Sequence, residues 1–181
     1  NGVPIFVSNY GYEEVPAIMM LVKSDFMAYT IGLLIPMVVA AIIGWFLFSS
    51  KIDGIYFSLI TLATASLFEM FILNQRQYTG GNNGIAGLQR LLVNGEPLSL
   101  NQMYYVLFII MLLVYLGCRW LTSSRFGKII QSVRENQSRL EFLGYNPSVF
   151  KIVIFTISGM LAGLAGILYA PINSFISPND V

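Results

Sequence analysis

The sequence predicts an all-α, polytopic membrane protein with about four transmembrane helices and one short cytoplasmic helix before the last of them. Three observations lead there. Of the 181 residues, 56% are hydrophobic and only 10% charged, where ordinary globular domains carry roughly 25% charged residues. The apolar residues fall into four long runs, each close to the ~20 residues that cross a hydrocarbon core as a helix. Six of the ten basic residues crowd into one interval, Arg119 to Lys151, between the third and fourth runs.

The first span is read at Phe26 to Ser50, 25 residues without a charge. Pro36 lies inside it, a fault that membranes tolerate when a neighbour satisfies the freed carbonyl. Lys51, Asp53 and Gly54 form a tight polar turn. The second span, Gly54 to Gln75, is less pure, with Thr61, Thr64, Ser66 and Glu69 along it. A carboxyl at membrane depth is costly unless it faces a cavity or a partner, so Glu69 marks a candidate polar path that the three hydroxyls could line. The plainer alternatives place Glu69 at the outer interface and turn the hydroxyls back onto carbonyls one turn earlier.

Arg76 to Glu96 is a loop containing Thr79, Gly80, Gly81, Asn82, Asn83 and Gly84. That composition allows positive φ and a close backbone approach to a ligand, or simply a turn. The third span covers Pro97 to Cys118, and the fourth Ile152 to about Tyr169, closing at Pro171. In the fourth, Gly159, Gly163 and Gly166, with Ser158 and Ala162, offer a small surface for close helix packing. That packing could lie within the chain or between subunits. Ahead of the first span, Asn1 to Asp25 reads as a loop with a surface-lying stretch near Val15 to Val22. The chain begins without Met and stops just after an apolar run, so residues 1–181 read as one membrane unit, incomplete at both ends.

Within Arg119–Lys151, Phe126, Ile129, Ile130, Val133, Leu140 and Leu143 recur at helical spacing. Lys128, Gln131, Arg134, Glu135, Asn136 and Arg139 fill the other face. Ser123 or Ser124 can cap the start, Glu135 and Arg139 stand at i,i+4, Gly144 suits the C-terminal cap and Pro147 blocks continuation. An interfacial helix resting on headgroups is the alternative to a protein partner. The mixed signs favour a protein. With this interval inside, alternation leaves seven basic residues inside and three outside, as the positive-inside tendency requires.

Several classes are excluded. Histidine is absent and Cys118 is the single cysteine, so an intrachain disulfide, the usual zinc and haem ligands, and a histidine-based triad are all missing. The P-loop pattern G-x-x-x-x-G-K-[ST] is not met at Gly127-Lys128, where Thr122 and Ile129 replace required residues. Net charge is +1, which provides no pull toward nucleic acid. No catalytic activity is expected.

The block Ser123 to Pro171, SSRFGKIIQSVRENQSRLEFLGYNPSVFKIVIFTISGMLAGLAGILYAP, resembles the permease subunits of bacterial ABC importers of the branched-chain amino acid type. Gly54 to Thr61 and Thr79 to Gly84 fit the same family, so the resemblance covers about Gly32 to Asp180. Gly80-Gly81-Asn82-Asn83-Gly84, Gly54 to Ser58, Gly144-Tyr145 and Tyr169-Ala170-Pro171 look more like urea permeases, whereas Ile176-Ser177-Pro178 fits the amino-acid members. The resemblance implies import of a small polar solute, urea ahead of branched-chain amino acids, across the bacterial plasma (inner) membrane. It implies a second, homologous permease subunit, two ATP-binding cassette ATPases that hold the ATP, and an extracytoplasmic binding protein. Arg134, Glu135, Asn136, Arg139, Glu141 and Gly144 would then belong to a coupling helix seated on an ATPase. The reading from another class is a membrane scaffold or signalling protein that recruits a cytoplasmic partner without transport.

Overall fold

The computed structural model describes residues 25–52, 54–75, 85–86, 92–93, 96–173 and 175–177. Its architecture is helical. Four helices are long and apolar enough to cross a membrane: α1 (Asp25–Ser49), α2 (Ile55–Asn74), α3 (Leu100–Ser123) and α6 (Pro147–Asn173). Between α3 and α6 lie two short helices, α4 (Arg125–Glu135) and α5 (Gln137–Phe142). Four two-residue strands complete the described elements. Ile85–Ala86 pairs antiparallel with Phe175–Ile176, and Leu92–Val93 with Glu96–Pro97.

The spans sit where the apolar runs placed them, with shifted ends that local chemistry explains. Helix α3 starts at Leu100 rather than Pro97 because Ser99 and Gln102 form a reciprocal capping box. It continues five residues past Cys118, carrying Arg119 and Trp120 on the last turns. Helix α6 starts at Pro147, five residues before the predicted Ile152, because the Ser148 amide donates to Asn146 Oδ1 (3.1 Å) and proline suits the first helical position. Pro171 lies inside α6, not at its end.

The packing of α1 against α6 is the backbone of the molecule. The two run antiparallel, and every fourth residue of one meets every fourth residue of the other. A Cβ placed on Gly32 would sit 2.9 Å from Ile167 Cγ1, and one on Gly163 would sit 2.8 Å from Pro36 Cγ. A Cβ on Gly159 would strike Ala40, and one on Gly44 would lie 3.0 Å from the Phe155 ring. The next rung is Lys151, whose ammonium lies 5.7 Å from the centre of the Phe48 ring. The five rungs span about 24 Å at 1.5 Å per residue.

Pro36 fits this contact for a chemical reason. Its nitrogen carries no hydrogen, so the Gly32 carbonyl one turn earlier loses its helical donor. Gly163 lies so close that an added Cβ would be 3.0 Å from that oxygen. Only a glycine lets the opposing backbone come this close.

Helix α2 meets the α1–α6 pair at its first turns, where Phe57 stacks on Phe48 (5.3 Å) and meets Phe155 edge-on (6.0 Å). None of its residues is buried. Between α3 and α6 lies an apolar cleft of about 390 Å³, lined by residues such as Met111, Val114, Leu161 and Leu168. The pairing of Ile85–Ala86 with Phe175–Ile176 ties the loop after α2 to the segment after α6. Those two span ends therefore share one side, opposite α4 and α5.

Candidate functional site

The charged interval folds into a compact corner on the ends of α3 and α6. Its first device is the turn out of α3. Ser123 is the last residue of α3 and its hydroxyl donates to Arg119 O (2.8 Å), so of the two candidate caps Ser124 is the one used. The Gly127 amide donates to Ser124 Oγ at 3.3 Å. Gly127 is buried, and a Cβ there would collide with the Thr122 carbonyl and lie 2.6 Å from Leu121 O. The reversal from α3 into α4 thus needs glycine for space.

The second device is a break that the periodicity did not predict. One amphipathic helix was expected from Phe126 to Leu143, but Asn136 is extended (φ −160°, ψ 100°) and splits it. Its amide donates to Ser132 O (3.0 Å), ending α4, while its Oδ1 accepts from Arg139 N (3.0 Å), starting α5. An asparagine can close one helix and open the next because its side-chain oxygen replaces the missing backbone acceptor. Glu135 and Arg139 consequently lie on different helices, and the expected i,i+4 pair is not formed among the described residues.

The third device is the exit. Gly144 has φ +85°, the Gly144 amide donates to Glu141 O (2.9 Å) and the Tyr145 amide to Leu140 O (3.2 Å). These two bonds form a Schellman cap, as glycine at this place predicts. Pro147 then opens α6. Val133 and Leu140 are buried at the base, and Phe150 meets Phe126 (5.6 Å) and Tyr145 (6.2 Å).

On this frame Arg134, Glu135, Asn136, Arg139, Glu141 and Gly144 are all exposed at one end of the molecule, so the structure does bring them together. Of the predicted apolar stripe, Phe126, Ile129, Ile130, Val133 and Leu140 turn inward, but Leu143 is 69% exposed. Phe142 is 91% exposed. Sequence reasoning passed over Phe142 because it counted Leu143 into the inward stripe, whereas the helix ends at Phe142 and Leu143 is its exposed C-cap.

The polar residues of α2 do not form one lining. Thr61 Oγ1 donates to Phe57 O and Ser58 O (both 3.0 Å), and Thr64 Oγ1 to Ile60 O (2.7 Å), so both hydroxyls serve their own helix. Thr61 and Thr64 are half-buried, while Ser66 and Glu69 are exposed. At 100° per residue Glu69 and Thr64 are separated by about 140° around the helix. Glu69 lies five residues before the end of α2 at Asn74, about 7.5 Å along the axis. The Thr79–Gly84 turn lies outside the described residues.

In the fourth span, Gly159 and Gly163 form the predicted close contact, and the partner is α1 of the same chain. Gly166 does not take part; nothing stands within 4 Å of a Cβ placed there. The α1-facing line follows every fourth residue, so the rung beyond Gly163 is Ile167.

Among the described residues no group of three or more His, Cys, Asp or Glu is placed to hold a metal ion. What the fold presents is an integral membrane protein, four helices long and apolar enough to cross a membrane with a capped, charged corner at one end. The chain belongs to the family described as "Branched-chain amino acid transport system / permease component", whose model matches residues 12–181. It is 25% identical over 154 residues to the high-affinity branched-chain amino acid transport system permease protein LivM of Salmonella typhimurium and 26% identical to that of Escherichia coli. Each of these alignments covers 72% of this chain and 36% of the relative. A probable branched-chain amino acid transport permease protein LivM of Methanocaldococcus jannaschii is 28% identical over 148 residues, 77% of this chain and 43% of the relative. This chain therefore spans less than half the length of these curated relatives. All three are named as transport permease proteins. No solved structure matches the chain.

Proposed function

We propose that this chain is a membrane-spanning part of an ATP-driven importer of branched-chain, hydrophobic amino acids. The observation that carries the reading is the family match along residues 12–181, together with relatives whose names all specify branched-chain amino acid transport. The urea likeness stood ahead on Gly80–Gly84 and a few short motifs, and no relative favours it. The order of the two substrates is therefore reversed here.

In this reading α4 and α5 lie in the cytoplasm of a bacterium and receive one of two ATPase subunits, while a second permease subunit completes the membrane pathway. An extracytoplasmic binding protein delivers the solute at the opposite side. The corner suits force transmission because three caps, at Ser124, Asn136 and Gly144, hold it against the ends of α3 and α6. The two hydroxyls bonded within α2 make Thr61 and Thr64 poor path-lining groups. Ser66 and Glu69 are left as the candidates on that helix.

The test uses the complete transporter, with its binding protein outside, in right-side-out membrane vesicles loaded with ATP. ATP-dependent uptake of labelled leucine, isoleucine and valine is expected, competed by one another and unaffected by urea in large excess. Uptake of urea with no leucine uptake would overturn the substrate. Absence of ATP-dependent uptake of either solute, with the partner proteins bound, would favour the scaffold reading.

A further inference from the structure

We propose that the turn from α3 into α4 is a docking surface for the phosphate headgroups of anionic phospholipids, held by Arg119, Arg125 and Lys128 beside the indole of Trp120. This surface is independent of the solute carried and requires only that α3 crosses the bilayer.

Depth places the surface. The uncharged stretch of α3 from Leu100 to Cys118 rises about 27 Å, close to the ~30 Å of a hydrocarbon core. Arg119 and Trp120 follow on the last turns, and both are exposed, Trp120 to 76%. Exposed Tyr104 and Tyr105 stand near the other end, so aromatics bracket the span as they do at the two membrane interfaces. The fold then keeps the chain at this level. Gly127 is buried so close to the end of α3 that a Cβ there would lie 2.6 Å from Leu121 O. Arg125 and Lys128, which flank Gly127 within two residues, therefore begin α4 at the height of Thr122, and both are exposed. Bases from two helices are brought to one headgroup layer.

Charge selects the partner. No Asp or Glu occurs between Pro97 and Arg134, and the first turn of α4, the positive end of its dipole, carries no acid. The mixed signs of the charged interval are resolved in space. Glu135 ends α4 about 15 Å along the axis from Arg125, and Glu141 lies past the Asn136 break in α5. That separation exceeds the ~8 Å over which physiological salt screens exposed charges. The start of α4 is thus purely basic, while its far end and α5 carry both signs. An anionic membrane surface attracts each such base. The hydroxyls of the turn are already engaged: Thr122 and Ser123 donate to Arg119 O (2.9 and 2.8 Å) and Ser124 to Leu121 O (2.6 Å). Recognition rests on charge, so phosphatidylglycerol and cardiolipin fit alike and zwitterionic lipids do not.

The experiment replaces Trp120 with p-benzoyl-phenylalanine in the complete transporter in native membranes, irradiates it, and reads the lipid adducts on this chain by mass spectrometry. The ratio of anionic to zwitterionic lipid among them is expected at least about fivefold above that of the bulk membrane, the weight of one base at an anionic surface. Replacing all three bases, Arg119→Gln with Arg125→Gln and Lys128→Gln, should return it to the bulk ratio. Lys51→Gln removes a base from the α1–α2 turn at the same end of the molecule and should shift it less than twofold. An equal fall in Lys51→Gln would mean diffuse attraction and no docking surface. Adducts in the bulk ratio from the chain with its bases intact would overturn the proposal, as would adducts with protein alone. Loss of the enrichment on adding inorganic phosphate at constant ionic strength would assign the surface to free phosphate and overturn the lipid. Should the triple variant fail to accumulate, the ratio measured with the bases intact decides alone.

Discussion

Gly127 shows how much one missing methyl can control. The chain reverses from α3 to α4 at a point where a Cβ would collide with the Thr122 carbonyl. Gly127→Ala must therefore push α4 off the end of α3, at a cost of about 1–3 kcal/mol for an overpacked site. The expected result is a detergent-solubilised protein that loses its monodisperse form several degrees earlier on heating. An unchanged transition would show that the corner is looser than its geometry. Gly144 differs in kind: nothing crowds it, and its glycine serves the positive φ of +85°. The sequence distinguished these two cases only in part. Gly144 was legible because a glycine after a periodic stretch signals a cap, whereas Gly127 looked like half of a failed phosphate loop, and only the fold reveals what it touches. The hydroxyls of α2 show the limit from the other side. Thr61 and Thr64 carry the same groups whether they line a path or bond backward, and sequence cannot choose between acceptors.

At the scale of elements, the four spans were readable because twenty apolar residues in a row have few other fates. Their ends were less readable, since they depend on single caps such as Ser99–Gln102 and Asn146. The partner of the Gly159–Gly163 face was not readable at all, because a small surface advertises closeness without naming the neighbour. The structure supplies α1, and with it a further expectation. A Cβ on Gly44 would lie 3.6 Å from Phe155 Cβ, within the range that a disulfide bridges. In a chain with Cys118→Ser, the pair Gly44→Cys and Phe155→Cys should oxidise readily, and ATP-driven uptake should be the same within twofold before and after reduction. A tenfold rise on reduction would mean that α1 and α6 separate during the cycle.

For the whole molecule, the strand pair Ile85–Ala86 with Phe175–Ile176 and the antiparallel run of α1 and α6 agree with the alternation read from charge. The charge rule gives absolute sidedness, and the fold gives only which ends coincide; each supplies what the other lacks. Cysteines placed at exposed Asn101 and Gln131, again with Cys118→Ser, test the two together. A membrane-impermeant maleimide added from outside intact cells should label position 101 and spare position 131. Labelling of both, or of 131 alone, would dismantle the four-span arrangement.

The spacing of four between α1 and α6 has one more implication. Along the contact α6 is bulky at both ends, Lys151 with Phe155 and Ile167, and bare in the middle at Gly159 and Gly163, where α1 places Ala40 and Pro36. If α6 slid by one repeat, about 6 Å, Phe155 would arrive at Ala40 in one direction and Ile167 at Pro36 in the other. Neither place has room. The pair behaves as a keyed shaft, free to tilt as a unit but unable to telescope, so a displacement of either helix along its axis carries the other with it.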